Sequence, residues 1–120
     1  MSEVEIENEI IAKGLVAPRL TPSDISEVII SDWYFTAAQG VIGNVDESRD
    51  IPTSLDLLTF CVLVLKNGFT VTGESACASP ENYNEEVGRK IAYENARNKI
   101  WPLEGYVLRN KLTAQLGDKQ

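Results

Sequence analysis

The sequence predicts an α+β fold: a small antiparallel sheet centred on a β-hairpin, covered by two C-terminal helices, with a short N-terminal helix at the edge. Three observations carry this. Leu57 to Leu65 is a nearly continuous apolar run, followed by Asn67-Gly68 and an alternating run from Phe69 to Ser75. Tyr83, Val87 and Ile91, continued by Ala92, Ala96 and Ile100, recur with a helical period. Pro102 breaks that pattern, and Leu103, Tyr106 and Val107 resume it beside a second stripe of Leu108, Leu112 and Leu116.

In chain order, residues 1–20 read as an acidic arm, 21–116 as a single α+β domain and 117–120 as a tail. Within the arm, Glu3, Glu5, Glu7 and Glu9 alternate with Val4, Ile6, Asn8 and Ile10, a period of two that suits an edge strand. Thr21 then caps a helix that opens on Pro22, with Asp24 near the positive end of its dipole and Ile25, Val28 and Ile29 as its apolar stripe. Trp33, Tyr34 and Phe35 supply bulky apolar mass for the core, and Trp33 to Thr36 is a candidate third strand. No regular period survives between Ala37 and Ser54, a segment that includes the charged stretch Asp46 to Asp50 and reads as a long loop.

For the hairpin, Asn67-Gly68 predicts a two-residue type I′ turn that pairs Lys66 with Phe69, Val64 with Val71 and Cys61 with Glu74. Its first strand is apolar at successive positions, which predicts a central strand covered on both faces. Ser79-Pro80-Glu81 repeats the pattern of cap, proline and acid, and places the start of the next helix there. Because the two stripes after Pro102 share one short helix, a second protomer is a candidate to cover one of them.

Composition restricts the chemistry. The 120 residues include no histidine and two cysteines, so Ser–His and Cys–His nucleophile pairs are excluded and a metal centre or cofactor is not expected. The register expected for the hairpin holds Cys61 and Cys77 too far apart for a disulfide. No apolar run reaches the ~20 residues that a membrane-spanning helix needs, so a cytoplasmic protein with no membrane partner is expected. The net charge of −7 disfavours ordinary electrostatic binding to DNA, although residues 1–88 carry −11 and residues 89–120 carry +4. That basic third retains the possibility of a local anion site.

Four residues are left without an obvious folding role. Arg89, Tyr93 and Arg97 fall four residues apart on one side of a helix, where two guanidinium groups and an aromatic ring could grip a phosphate or carboxylate. Glu74 precedes the expected start of that helix. Glu74, Arg89, Tyr93 and Arg97 are therefore the candidate ligand-binding residues, with no catalytic residue among them; the competing reading is a solvated face laced with pairs such as Glu86 with Lys90. Ser79, Trp101 and Tyr106 read as a cap and two anchors.

The motifs NGFTVTGESACASPENY from Asn67, GRKIAYENARNKIWPLEGY to Tyr106 and AAQGVIG from Ala37 resemble the phage gene-product 49/66 family of small tailed-phage and prophage proteins, over roughly residues 20 to 112. The resemblance implies a phage accessory protein outside the virion, working in the host cytoplasm, and carries no catalytic or ligand-binding residue across. The leading expectation is a non-enzymatic protein that binds a host factor in counter-defence or host takeover. Two other expectations are a sponge for an anionic small molecule such as a nucleotide signal, and an acidic mimic of nucleic acid that inhibits a host protein. A homo-oligomer is compatible with each.

Overall fold

Three antiparallel strands, β1 (Ile29–Thr36), β2 (Leu58–Leu65) and β3 (Thr70–Ala76), form a sheet in that order in the computed structural model, which describes residues 2–15, 17–46 and 49–117. The helices are α1 (Glu3–Ala12), α2 (Pro22–Val28), α3 (Ala37–Val41), α4 (Glu85–Asn98) and α5 (Ile100–Leu116). The chain divides into two compact units, residues 29–99 and residues 1–28 with 100–120. An α+β class with C-terminal helices is what the sequence predicts.

In the first unit β2 is the central strand. Thr59, Cys61, Leu63 and Leu65 are buried, and they alternate with half-buried Leu58, Phe60, Val62 and Val64. α4 lies over the buried face. Gly88, Ala92 and Ala96, spaced by four, give that helix a thin stripe, and Gly73 removes the last obstacle beneath it. A Cβ on Gly73 would sit 2.3 Å from both the Ala92 carbonyl oxygen and the Ala96 nitrogen.

Expectation and structure part at the hairpin loop. Leu65 N donates to Phe69 O and Gly68 N donates to Leu65 O, both at 2.9 Å, so the loop holds three residues, Lys66-Asn67-Gly68. Only Gly68 has a positive φ, of 87°; the Asn67 side chain instead accepts a bond from Phe69 N at 3.0 Å. The register therefore moves by one: Cys61 faces Gly73, and Glu74 faces Phe60. A shift of one residue sends Glu74 to the face of the sheet away from Cys61 and α4. Both cysteines are free, Cys61 buried and Cys77 half-buried with its thiol donating to Ser79 O at 3.1 Å.

Two further boundaries differ. The Ser79 hydroxyl donates to Glu81 Oε2 at 2.7 Å and caps no backbone, so Pro80–Asn82 makes only a 3-10 turn and α4 begins three residues later on an Asn84 cap. Residues 37–54 are not wholly irregular either: Thr36 and Gln39 form a reciprocal capping box that starts α3, and Thr53–Leu57 is a 3-10 turn. Glu47 and Ser48 of the charged stretch, and all of the expected tail after Gly117, lie outside the described residues.

In the second unit the N-terminal alternation resolves as a helix and not a strand. Ser2 accepts from Glu5 N, and the Glu5 side chain returns a bond to Ser2 N, which nucleates α1. Alternation of period two also sets Glu3 and Glu7 four residues apart, on one helical face. Glu7 takes both guanidinium nitrogens of Arg19, at 2.6 and 3.0 Å, and Glu3 accepts from the Trp101 indole at 3.0 Å. Thr21 and Asp24 cap α2 reciprocally at 2.9 and 3.2 Å, and Pro102 sits in the first turn of α5, where its missing donor costs nothing.

Candidate functional site

The α4 flank that carries Arg89, Tyr93 and Arg97 is largely occupied with holding the sheet unit together. Arg89 bonds Glu85 at 2.7 Å, and its guanidinium lies 5.6 Å over the ring of Tyr34. Tyr34 in turn donates to Asp32 Oδ2 at 2.8 Å. Burial, followed by the Asp32 bond, pushes the Tyr34 phenol well above its ordinary range, and burial likewise raises the Cys61 thiol. Tyr34 is thus a fixed donor and Cys61 a protonated thiol at neutral pH, which suits neither to nucleophilic chemistry.

Arg97 is 5% exposed, and its Nη1 meets the Tyr93 hydroxyl at 3.3 Å. Tyr93 and Arg97 come together as their spacing predicts, with Arg89 on the same flank. Glu74 does not join them. It is exposed on the opposite face of the sheet, and its backbone carbonyl accepts from the Asn95 side chain at 2.8 Å. Lys90 pairs with Glu86 at 3.2 Å across one helical turn. Among the described residues no group of three or more Cys, Asp or Glu side chains is placed to hold a metal ion.

The face of the sheet away from α4 has the opposite character. Antiparallel pairing puts Ser31, Trp33 and Phe35 of β1 on it, beside Val64, Val62 and Phe60 of β2, with Thr70, Thr72 and Glu74 of β3 beyond. Phe35 and Phe60 stack at 5.4 Å, and α3 covers that end, where Gly40 would bring a Cβ to 3.1 Å from Phe35. The other end is open. Trp33 is 61% exposed although it lies in the middle of a strand, and its indole N–H is fixed to Ser31 Oγ at 2.9 Å.

This open end is the functional candidate that sequence reasoning missed, because the aromatic triplet reads as core and the two-faced apolar β2 reads as covered on both sides. The available signal was the mismatch between β2 and its neighbour: Val62 and Val64 stand beside Thr72 and Thr70, polar partners that suit a wet face. None of these nine paired strand positions holds a lysine or arginine. In the helical unit, a groove of about 270 Å³ is lined by Arg19, Asp24, Glu27, Glu104 and Lys111, whose mixed signs largely offset one another.

The sequence profile of the phage protein (N4 Gp49/phage Sf6 gene 66) family matches residues 20–112. The chain belongs to this family. Neither a curated protein nor a solved structure matches it. The matched span of this phage protein starts just before the Thr21 cap and ends within α5, so it takes in the whole sheet, the open face and the α4 flank. Among the described residues, no helix of this phage protein is long and apolar enough to cross a membrane.

Proposed function

We propose that this phage accessory protein is a non-enzymatic binder of a host protein, and that it docks its partner on the open end of the sheet face. The observation that carries this reading is Trp33, 61% exposed and held by Ser31 beside Val62 and Val64. Tryptophan is enriched among the few residues that dominate binding energy, and a pre-fixed ring loses little side-chain entropy when a partner covers it. An apolar centre rimmed by Ser31, Thr70 and Thr72 resembles the core and rim of a protein interface. With no cation at its paired strand positions, the face has little to attract a phosphate backbone.

A sponge for an anionic small molecule draws less support, since Arg89 is committed to Glu85 and Tyr34, and Arg97 is buried against Tyr93. A photo-crosslinking residue placed at Thr72, in the complete chain during infection, tests the reading. The expected result is one dominant host adduct, lost with Trp33→Ala and kept with Arg89→Ala. An adduct pattern indifferent to Trp33 but lost with Arg89→Ala would overturn it in favour of the α4 flank.

A further inference from the structure

In α1 the amphipathic order is mixed. Its half-buried side is made of Glu3, bonded to Trp101, Glu7, bonded to Arg19, and Ile10, while Val4, Ile6 and Ile11 are 66%, 44% and 62% exposed. Val4, Asn8, Ile11 and, just past the helix, Leu15 at 55% exposure follow the spacing of a packing seam. α5 repeats the arrangement. Trp101, Glu104, Leu108 and Leu112 make its half-buried side, and Leu103, Tyr106 and Val107 are 38%, 72% and 42% exposed at spacings of three and four. Two helices of one unit, about 15 and 25 Å long at 1.5 Å per residue, thus present exposed apolar residues to solvent.

Their charges are complementary. α1 carries Glu3, Glu5, Glu7 and Glu9, with Glu5 and Glu9 exposed; Lys13 at its C-cap pairs with Glu9 at 2.9 Å, so the helix with its cap keeps a net charge of −3. α5 carries Arg109 and Lys111, both exposed and without an ion pair among the described residues, against Glu104 alone. An acidic apolar helix and a basic apolar helix on the same unit are what a self-complementary, two-fold surface requires, because each copy then supplies both halves of each contact.

We infer that the helical unit is a homodimer interface, in which α1 of one copy lies along α5 of a second copy and the reverse. Val4 and Ile11 of α1 pack on Tyr106 and Val107 of the facing helix, and Glu5 and Glu9 approach Arg109 and Lys111 at the rim. The residues named in this contact differ from those of the Trp33 face, so each surface can be mutated alone.

Sedimentation velocity on the complete chain, from about 1 to about 100 μM, which brackets a moderate interface, tests this. The wild type is expected to show a concentration-dependent dimer. Ile11→Asp or Tyr106→Asp, both at exposed positions, should weaken it at least about 10-fold with unchanged far-UV circular dichroism. Arg109→Glu should also weaken it, and adding Glu9→Arg to that variant, which leaves the capping box of α1 intact, should restore association. A monomer throughout the range would overturn the inference, as would a dimer insensitive to Ile11→Asp and Tyr106→Asp. A dimer dissociated by Trp33→Asp alone would assign self-association to the sheet face and overturn it as well.

Discussion

Gly73 and Ala96 are in direct backbone contact across the sheet–helix layer: a Cβ on Gly73 would lie 2.9 Å from the Ala96 Cα. The obstruction is main chain, so no rotamer change relieves it. Gly73→Ala is expected to destabilise the protein by about 3 kcal/mol or more, read by urea denaturation, because α4 must lift off β3. Gly88→Ala meets only the Thr59 hydroxyl, at 3.2 Å, and should cost less. Equal losses in the two variants would count against the contact.

Thr59 offers the opposite case. Its Oγ1 is buried without a hydrogen-bond partner among the described residues, in a residue that is 2% exposed. Thr59→Val keeps the shape and removes the desolvated hydroxyl, so a stability gain of about 1 kcal/mol is expected. A loss of similar size would reveal a bond that the hydroxyl makes.

Trp33 and Leu63 separate a docking face from a core. Leu63 is fully buried, and Leu63→Ala should cost about 2–5 kcal/mol. Trp33→Ala removes a much larger side chain, yet its 61% exposure predicts a loss below about 1.5 kcal/mol. Tm values from the two variants measure the difference, and a Trp33→Ala loss as large as that of Leu63→Ala would return Trp33 to the core.

The Glu7–Arg19 pair gives a pH signature. The Arg19 hydrogen bond holds the Glu7 carboxyl below its ordinary value of 4.5, so its contribution to stability is complete above that pH and is lost as pH falls through the lowered folded value. Arg19→Gln is therefore expected to be less stable than wild type at neutral pH, with the gap closing in acid. Denaturation curves collected on both sides of pH 4.5 check this, and a gap that widens in acid would be inconsistent with the pair.

Local signals made the fold class legible: β2 as central strand, the helical period of Gly88, Ala92 and Ala96, and the Thr21 and Pro102 boundaries all follow from residue chemistry on a single element. Register did not. Asn67-Gly68 is compatible with a two- or a three-residue loop, and the choice rests on whether Asn67 takes a positive φ or a side-chain bond to Phe69. That choice moved Glu74 to the other face and away from Arg89, Tyr93 and Arg97. The N-terminal helix was readable in Ser2 and Glu5, but the stronger alternation of glutamates masked the capping box. Exposure of Trp33 depends on which faces α3 and α4 cover, and no single segment encodes that.

Asn95 has a consequence for how the sheet ends. Leu65 with Phe69 and Leu57 with Cys77 are hydrogen-bonded rows, so the intervening alternation points the Glu74 carbonyl outward from β3, where the Asn95 amide occupies it. A side-chain amide there takes the place that an incoming strand's N–H would need. Fibrillar stacking requires every copy to accept on one border what it offers on the other, and here one border is plugged at its middle. Asn95 thus fills one outward acceptor of that border, and Asn95→Ala is expected to leave the molecule folded with that acceptor exposed.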